Sequence, residues 1–413
     1  MKHLPIYLGM LTLSILFNSC NKVEPDEVEP IKEELATLDE NVKAIIPHIY
    51  IQIANDEEVV VKDVYLSGEV EIKGQDIYPS LEKVTTRIKG RGNSTWGKPK
   101  KPYRLKLDKA ASVLGLTAAK DWVLLANYQD YTFMCNAIAM KMGQQLGMPF
   151  TNTIIPVDVT INGKYRGSYM LTQQIEAKEG RVNVGPDGQL LELDTNFDED
   201  FQFKSSGWNL PVMIKSPDIT SDEQFNSIKN GYENLEQMFI STKFPNNDYG
   251  KIFDKQQFVN YILVNNLTAN YEINHPKSVY MHKLKDGKYT MGPLWDFDWG
   301  FGMEEEGRKY FSFETLPLFK PTDARLGHRF FTHILKDPEV KQLYKQTWEN
   351  YKANHFEALM SFIEEYAARI RESQKKDFEV WKVGPNNHAE SKKNMKVYLR
   401  KRAQYLDSYM KQL

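Results

Sequence analysis

The chain has 413 residues, 41% of them hydrophobic and 12% aromatic, with a formal net charge of -2. That length exceeds what one core normally supports, so two lobes or a domain with a large helical extension is expected, and the apolar content excludes a disordered polymer. Near-neutral charge excludes the broadly basic domain of a typical nucleic-acid binder, so no nucleic-acid partner is expected.

The N-terminus carries Lys2, an apolar run from Ile6 to Phe17, and then Asn18-Ser19-Cys20. The run is too short to be a stable membrane anchor and reads as a signal peptide over residues 1–20. The small residue before Cys20 resembles the processing box of bacterial lipoproteins, of a Bacteroidetes-like type. Cys20 is then the lipidated first residue, and the chain is expected at the outer membrane or cell surface, held by its N-terminal lipid, with the periplasmic face left open. An ordinary secretion signal with an incidental Cys20 is the alternative. Residues 21–46, which open rich in Glu, Pro and Asp, read as a flexible acidic tether.

From Pro47 the segments Ile49–Ile53, Val59–Val61, Glu69–Lys73, Val84–Lys89 and Tyr103–Leu107 read as strands. Asp121–Leu146 has the apolar spacing of one helix, with Gly147 as its stop. Thr153–Ile161 and Tyr165–Thr172 flank Asn162-Gly163, a strong hairpin signal. A sheet with one packed helix is expected over residues 47–218. After Asp218 the pattern turns helical, with amphipathic stretches at Ser221–Phe239 and Asp254–Asn270. Short strands Ser278–His282 and Tyr289–Pro293 follow, and then helices at Glu349–Glu372 and Ser391–Met410. The fold class is therefore α+β, with a β-rich N-terminal part and a mainly helical part over residues 219–413. Cys135 reads as a buried structural thiol. The eight His are scattered without zinc spacing, and there is neither a serine-hydrolase elbow nor a Walker A loop.

Two stretches carry the candidate chemistry. Gly292-Pro293-Leu294-Trp295-Asp296-Phe297-Asp298-Trp299-Gly300 sets two carboxylates two residues apart among aromatics and glycines. In a strand, residues i and i+2 share a face, so Asp296 and Asp298 would converge on one divalent cation carrying phosphate. The alternative is one Asp capping a turn and the other paired with an arginine. Far upstream, Arg87, Lys89, Arg91, Lys98, Lys100, Lys101, Arg104, Lys106 and Lys109 crowd one segment, framed by a glycine-rich turn. In a near-neutral chain this density is local and reads as a surface for phosphate. The alternative is a solvated basic edge strand that discourages edge pairing.

The motifs RGNSTWGKPKKPYRLKL (91–107), KDWVLLANYQD (120–130), INGKYRGSYMLTQQIE (161–176), GQLLELD (188–194), MIKSPD (213–218) and LWDFDWGFG (294–302) together resemble the CotH-type kinases, first associated with spore coats, in the family's order. The resemblance implies an atypical protein-kinase-like fold of two lobes, a nucleotide-binding one over 47–218 and one with the metal site over 219–413. It also implies ATP, Mg²⁺ or Mn²⁺, and phosphate transfer to protein hydroxyls. Arg91, Lys101, Arg104 and Lys106 would then bind the nucleotide, with Lys106 preferred over Lys101 for the phosphate oxygens. Asp296, Asp298 and Ser278 would hold metal, and Glu272 and Asp296 would be catalytic. The chain departs from the family's pattern in three places. Glu272 falls near the catalytic-loop Asp, Ser278 near the metal-binding Asn, and Gln173 where relatives often place an acid. A pseudokinase serving as a surface binding or scaffold lipoprotein is therefore the second reading. A carboxylate-based glycoside hydrolase is a third.

Overall fold

Alternating apolar side chains close the first seven strands on themselves. These are β1 (His48–Ile53), β2 (Leu66–Lys73), β3 (Leu81–Gly90), β4 (Tyr103–Ala111), β5 (Ala119–Leu125), and, after helix α1 (Cys135–Gln145), β6 (Ile155–Ile161) and β7 (Lys164–Gln173). In this computed structural model they form a barrel in the order β1-β2-β3-β4-β5-β7-β6, closed by a parallel pairing of β1 with β6 that sets His48 opposite Asp158. Residues such as Ile49, Ile51, Val70, Ile88, Leu105, Trp122, Val157 and Tyr169 fill its interior. Asn162 and Gly163, both at positive φ, make the β6–β7 turn as expected.

The described residues are 30–304 and 309–413, and Glu33–Leu413 forms one compact unit. Residues 30–32, outside that unit, carry no helix or strand. The expected signal peptide and Cys20 lie outside the described residues. Among the described residues no helix is long and apolar enough to cross a membrane.

A second, five-stranded sheet of order β12-β11-β8-β10-β9 follows. It is built from β8 (Gln189–Leu193), β9 (Gln202–Lys204), β10 (Pro211–Ser216), β11 (Val279–Lys283) and β12 (Thr290–Met291). Around it lie α2 (Asp222–Ile240), the single turn α3 (Tyr249–Ile252), α4 (Lys255–Leu267), α5 (Leu326–Ile334), α6 (Pro338–Asn354), α7 (Phe356–Trp381) and α8 (His388–Gln412). Side-chain caps start several of them: Ser221 on α2, Asp254 on α4, Asp337 on α6 and Asn387 on α8. One large core joins α1, α4 to α8 and one face of this sheet.

The α+β class and its division into a β-rich start and a helical end hold, but several expectations are corrected. The opening strands form a closed barrel in place of an open sheet with one packed helix, because β6 returns to pair with β1. Val59–Val61 forms no strand. The helix expected over Asp121–Leu146 is a strand, a loop and a shorter helix. Trp122–Leu124 is a continuously buried run inside the barrel wall, and α1 starts only where Asp130 accepts from the backbone N–H groups of Met134 (3.0 Å) and Cys135 (2.9 Å). The helix expected over Glu349–Glu372 is broken at His355 into α6 and α7, with Trp348 and Phe356 packed edge to face across the corner. Residues 33–46, expected within the tether, are held in the fold: Glu34 is 7% exposed and its carboxylate meets Lys396 and Arg400.

The barrel is locked to α7 by a buried pair. Lys100 reaches Asp377, and its ammonium also donates to the Ser168 carbonyl at 2.5 Å, while the Ser168 N–H donates to Asp377 at 2.8 Å. Gly167, at φ 106°, sits where a Cβ would come within 2.3 Å of that carboxylate, so only glycine fits.

Candidate active site

Where the β3–β4 hairpin of the barrel overhangs the second sheet, a cleft of about 400 Å³ opens. Its roof is the hairpin turn, Gly90 to Thr95, with Lys89 on β3 and Arg104 on β4. Alternation sends Ile88 and Leu105 into the barrel and Lys89 and Arg104 outward, and the register places those two cations opposite each other. Gly92 turns this hairpin at φ 79°, and a Cβ there would meet the Thr95 hydroxyl at 2.2 Å. A closed barrel has no edge at β3 or β4, which removes the edge-strand reading of the basic run.

The cations of the roof are not equivalent. Arg104 is committed to Asp121, donating from Nε at 3.0 Å and from its terminal nitrogen at 2.7 Å. Lys89 lies over the Tyr65 ring at 4.9 Å and Arg91 over the Trp295 ring at 5.5 Å. Among the described residues neither has a carboxylate within ion-pair distance. Lys106 shares the outer face of β4 but sits two pairs further from the turn, opposite Arg87, and does not line the cleft. Nor does Lys101, whose ammonium donates to the Trp96 carbonyl at 2.7 Å.

The floor is acidic. Glu272, in the short 3₁₀ turn after α4, lines it together with Asp194 at the end of β8, Ser278, Lys277, Asp296 and Asp298. Asp296 and Asp298 do not lie on a strand, since β12 ends at Met291. They occupy a loop in which Asp296 takes a left-handed φ of 63°, and their carboxyls hydrogen-bond to each other. Burial, and then the neighbouring Asp296, hold the Asp298 carboxyl well above the usual carboxylate range. Burial and the same neighbour push Glu272 up to about 8, and its Oε2 is buried without a hydrogen-bond partner. The Asp194 carboxylate accepts from the N–H groups of Asn196 at 2.7 Å and Ser278 at 2.9 Å. Ser278 is thereby held at φ 50°. At the side wall Lys215 stands 3.3 Å from Glu192, whose carboxylate also accepts from the Tyr280 hydroxyl.

Among the described residues no group of three or more His, Cys, Asp or Glu stands ready to hold a metal ion. The donor chemistry nevertheless fits a hard divalent cation. Two carboxyls in contact, beside a third with an orphaned oxygen, are a site where positive charge is missing. Mg²⁺ is commonly held by one or two carboxylates, with waters and substrate phosphates completing its shell.

Of the residues that the sequence singled out, the fold gathers Arg91, Arg104, Glu272, Ser278, Asp296 and Asp298 around one cleft and leaves Lys101 and Lys106 outside it. Gln173 is 7% exposed and its Oε1 accepts the Thr153 N–H at 2.8 Å, while its neighbour Gln174 lines the cleft. Asp194, Lys277 and Asn136 were not foreseen. Each is a single polar residue without a spacing signal, and only the GQLLELD block marks the neighbourhood of Asp194. A family profile described as CotH kinase protein matches residues 87–406. The chain belongs to the CotH kinase family. No match was found among curated proteins. Membership points to a kinase-related function and, in general terms, to the use of nucleotide and metal. The profile spans both walls of the cleft, from the hairpin roof through the acidic floor to α8.

Proposed function

We propose that this CotH-family chain binds ATP with Mg²⁺ or Mn²⁺ in the cleft and transfers the terminal phosphoryl group to a hydroxyl of a protein substrate. The observation that carries this reading is the facing of two uncommitted cations, Lys89 and Arg91, against the acid cluster Glu272, Asp296 and Asp298 across one cleft. A triphosphate needs the first and its metal the second. The same reading takes the barrel as the small lobe of a kinase-like pair, with the second sheet and helices as the large one.

Lys89 and Arg91 would hold phosphate oxygens, with Lys277 adding positive charge from the floor. Asp296 and Asp298 would hold the metal, with Ser278 beside them. A metal bound there neutralises charge on the phosphoryl oxygens. Glu272 would take the acceptor hydroxyl's proton on Oε2 as the new O–P bond forms and the bond to the leaving diphosphate breaks. A carboxyl held near 8 is matched to proton transfer around neutral pH. We also propose that lipidation at Cys20 places the chain at the outer membrane or cell surface, where its acceptors would be exported proteins.

A second reading, nucleotide binding without turnover as in a pseudokinase, is favoured by Glu272 and Ser278 standing where kinases of the family carry Asp and Asn, and by the Ser278 N–H being tied to Asp194. Labelled ATP with Mg²⁺, given to the wild type and to Asp296→Asn, separates the two. Binding and label transfer that are both lost in the variant support the kinase. Binding without transfer in the wild type supports the second reading, and nucleotide affinity unchanged in Asp296→Asn refutes the assigned role of that residue.

A further inference from the structure

The acid pair sits in a loop with a strained residue, and three polar side chains from separate elements grip its backbone. Asn270 donates to the Asp296 carbonyl at 3.4 Å, the Asn136 side-chain carbonyl accepts the Phe297 N–H at 3.0 Å, and the Tyr310 hydroxyl donates to the Asp298 carbonyl. The central grip lies between the two carboxylates and joins residues 161 positions apart. Asn136 is 6% exposed and lines the cleft. Its own place is fixed because it lies in the first turn of α1, whose opening N–H groups are held by the fully buried Asp130.

We propose that Asn136 is the positioning residue of the acidic loop: by accepting the Phe297 N–H it keeps Asp296 and Asp298 side by side and so sets the site's affinity for a divalent cation. Phe297 is 1% exposed, and its ring is anchored in the core. With the ring fixed, the remaining freedom of the loop is rotation of the peptide groups on either side. The Asn136 acceptor removes that freedom at the N–H between the two acids. Groups that hold metal ligands in place typically control metal affinity by tenfold or more. The part of this inference that concerns metal rests on the function proposed above; the part that concerns the loop does not.

The test compares wild type, Asn136→Leu, which keeps the size of the side chain but loses the acceptor, and Asn136→Asp, which keeps the acceptor. Two quantities are read: hydrogen exchange at the Phe297 amide, and Mn²⁺ affinity by its electron paramagnetic resonance signal, with circular dichroism confirming the fold. Asn136→Leu is expected to exchange Phe297 at least about tenfold faster and to bind Mn²⁺ about tenfold more weakly, with both restored toward wild type in Asn136→Asp. An unchanged Phe297 exchange rate in Asn136→Leu overturns the positioning role. Faster exchange with unchanged Mn²⁺ affinity overturns its link to the cation. If the wild type binds no Mn²⁺, the metal-dependent function and that link fall together, and the exchange rates still decide whether Asn136 holds the loop.

Discussion

Replacing Glu272 by Gln freezes the carboxyl in a neutral, isosteric form and makes the acid cluster measurable without any ligand. In the fold, burial and Asp296 raise Glu272 from 4.5 to about 8. A group raised in this way keeps its proton in the folded state while the unfolded chain gives it up. The wild type therefore loses stability as pH rises from about 4.5 to about 8, and the loss is complete above that. At 1.36 kcal/mol per tenfold change in proton affinity, the full effect is on the order of 5 kcal/mol, shared with the coupled carboxyls around it. Gln carries no such penalty, and the buried Oε2 has no partner to lose. Urea melts of both proteins across the range should show Glu272→Gln close to wild type at about pH 5 and more stable by roughly 2–4 kcal/mol at about pH 9. Saturating Mn²⁺ should narrow that gap, because the cation supplies the missing charge. A gap that is constant with pH, or one that favours the wild type at high pH, would refute the cluster as described.

The cations of the roof give a paired prediction. Lys89→Ala should weaken binding of a non-hydrolysable ATP analogue by about tenfold, the worth of a charge-assisted contact, and Lys106→Ala should change it less than about twofold, as read by calorimetry. At the contact between the barrel and α7, Lys100→Met should cost about 3–5 kcal/mol in a denaturant melt, because Asp377 is left buried and uncompensated. Adding Asp377→Leu should recover a large part of that loss.

How legible each feature was follows from the range of the interaction behind it. The barrel strands β1 to β4, the β6–β7 hairpin and the helices α2, α4 and α8 were readable, because alternation and caps are local. Tyr103–Leu107 alternates cleanly inside and out. Closure of the barrel was not readable, since it depends on His48 finding Asp158. The mistaken helix at residue 121 has a local cause as well: a strand buried along most of its length loses the period of two, and Asp121–Leu125 ran on into true helix. In the cleft, the acids stood out by their dense motif. The preference for Lys106 over Lys101 was made without the register: Lys89 on β3 and Lys106 on β4 both point outward, and only the pairing shows which of them reaches the turn. Asn136 is a single amide in an otherwise apolar helix start, and its role depends on a loop 161 residues away.

The most direct test of the central claim is a crystal structure of the protein grown with Mn²⁺ and a non-hydrolysable ATP analogue, using anomalous scattering to locate the metal. The account predicts a manganese peak against the Asp296 and Asp298 carboxylates, with the triphosphate reaching Lys89 and Arg91. A nucleotide bound outside this cleft, or manganese held elsewhere with these two carboxyls still bonded to each other, would contradict it.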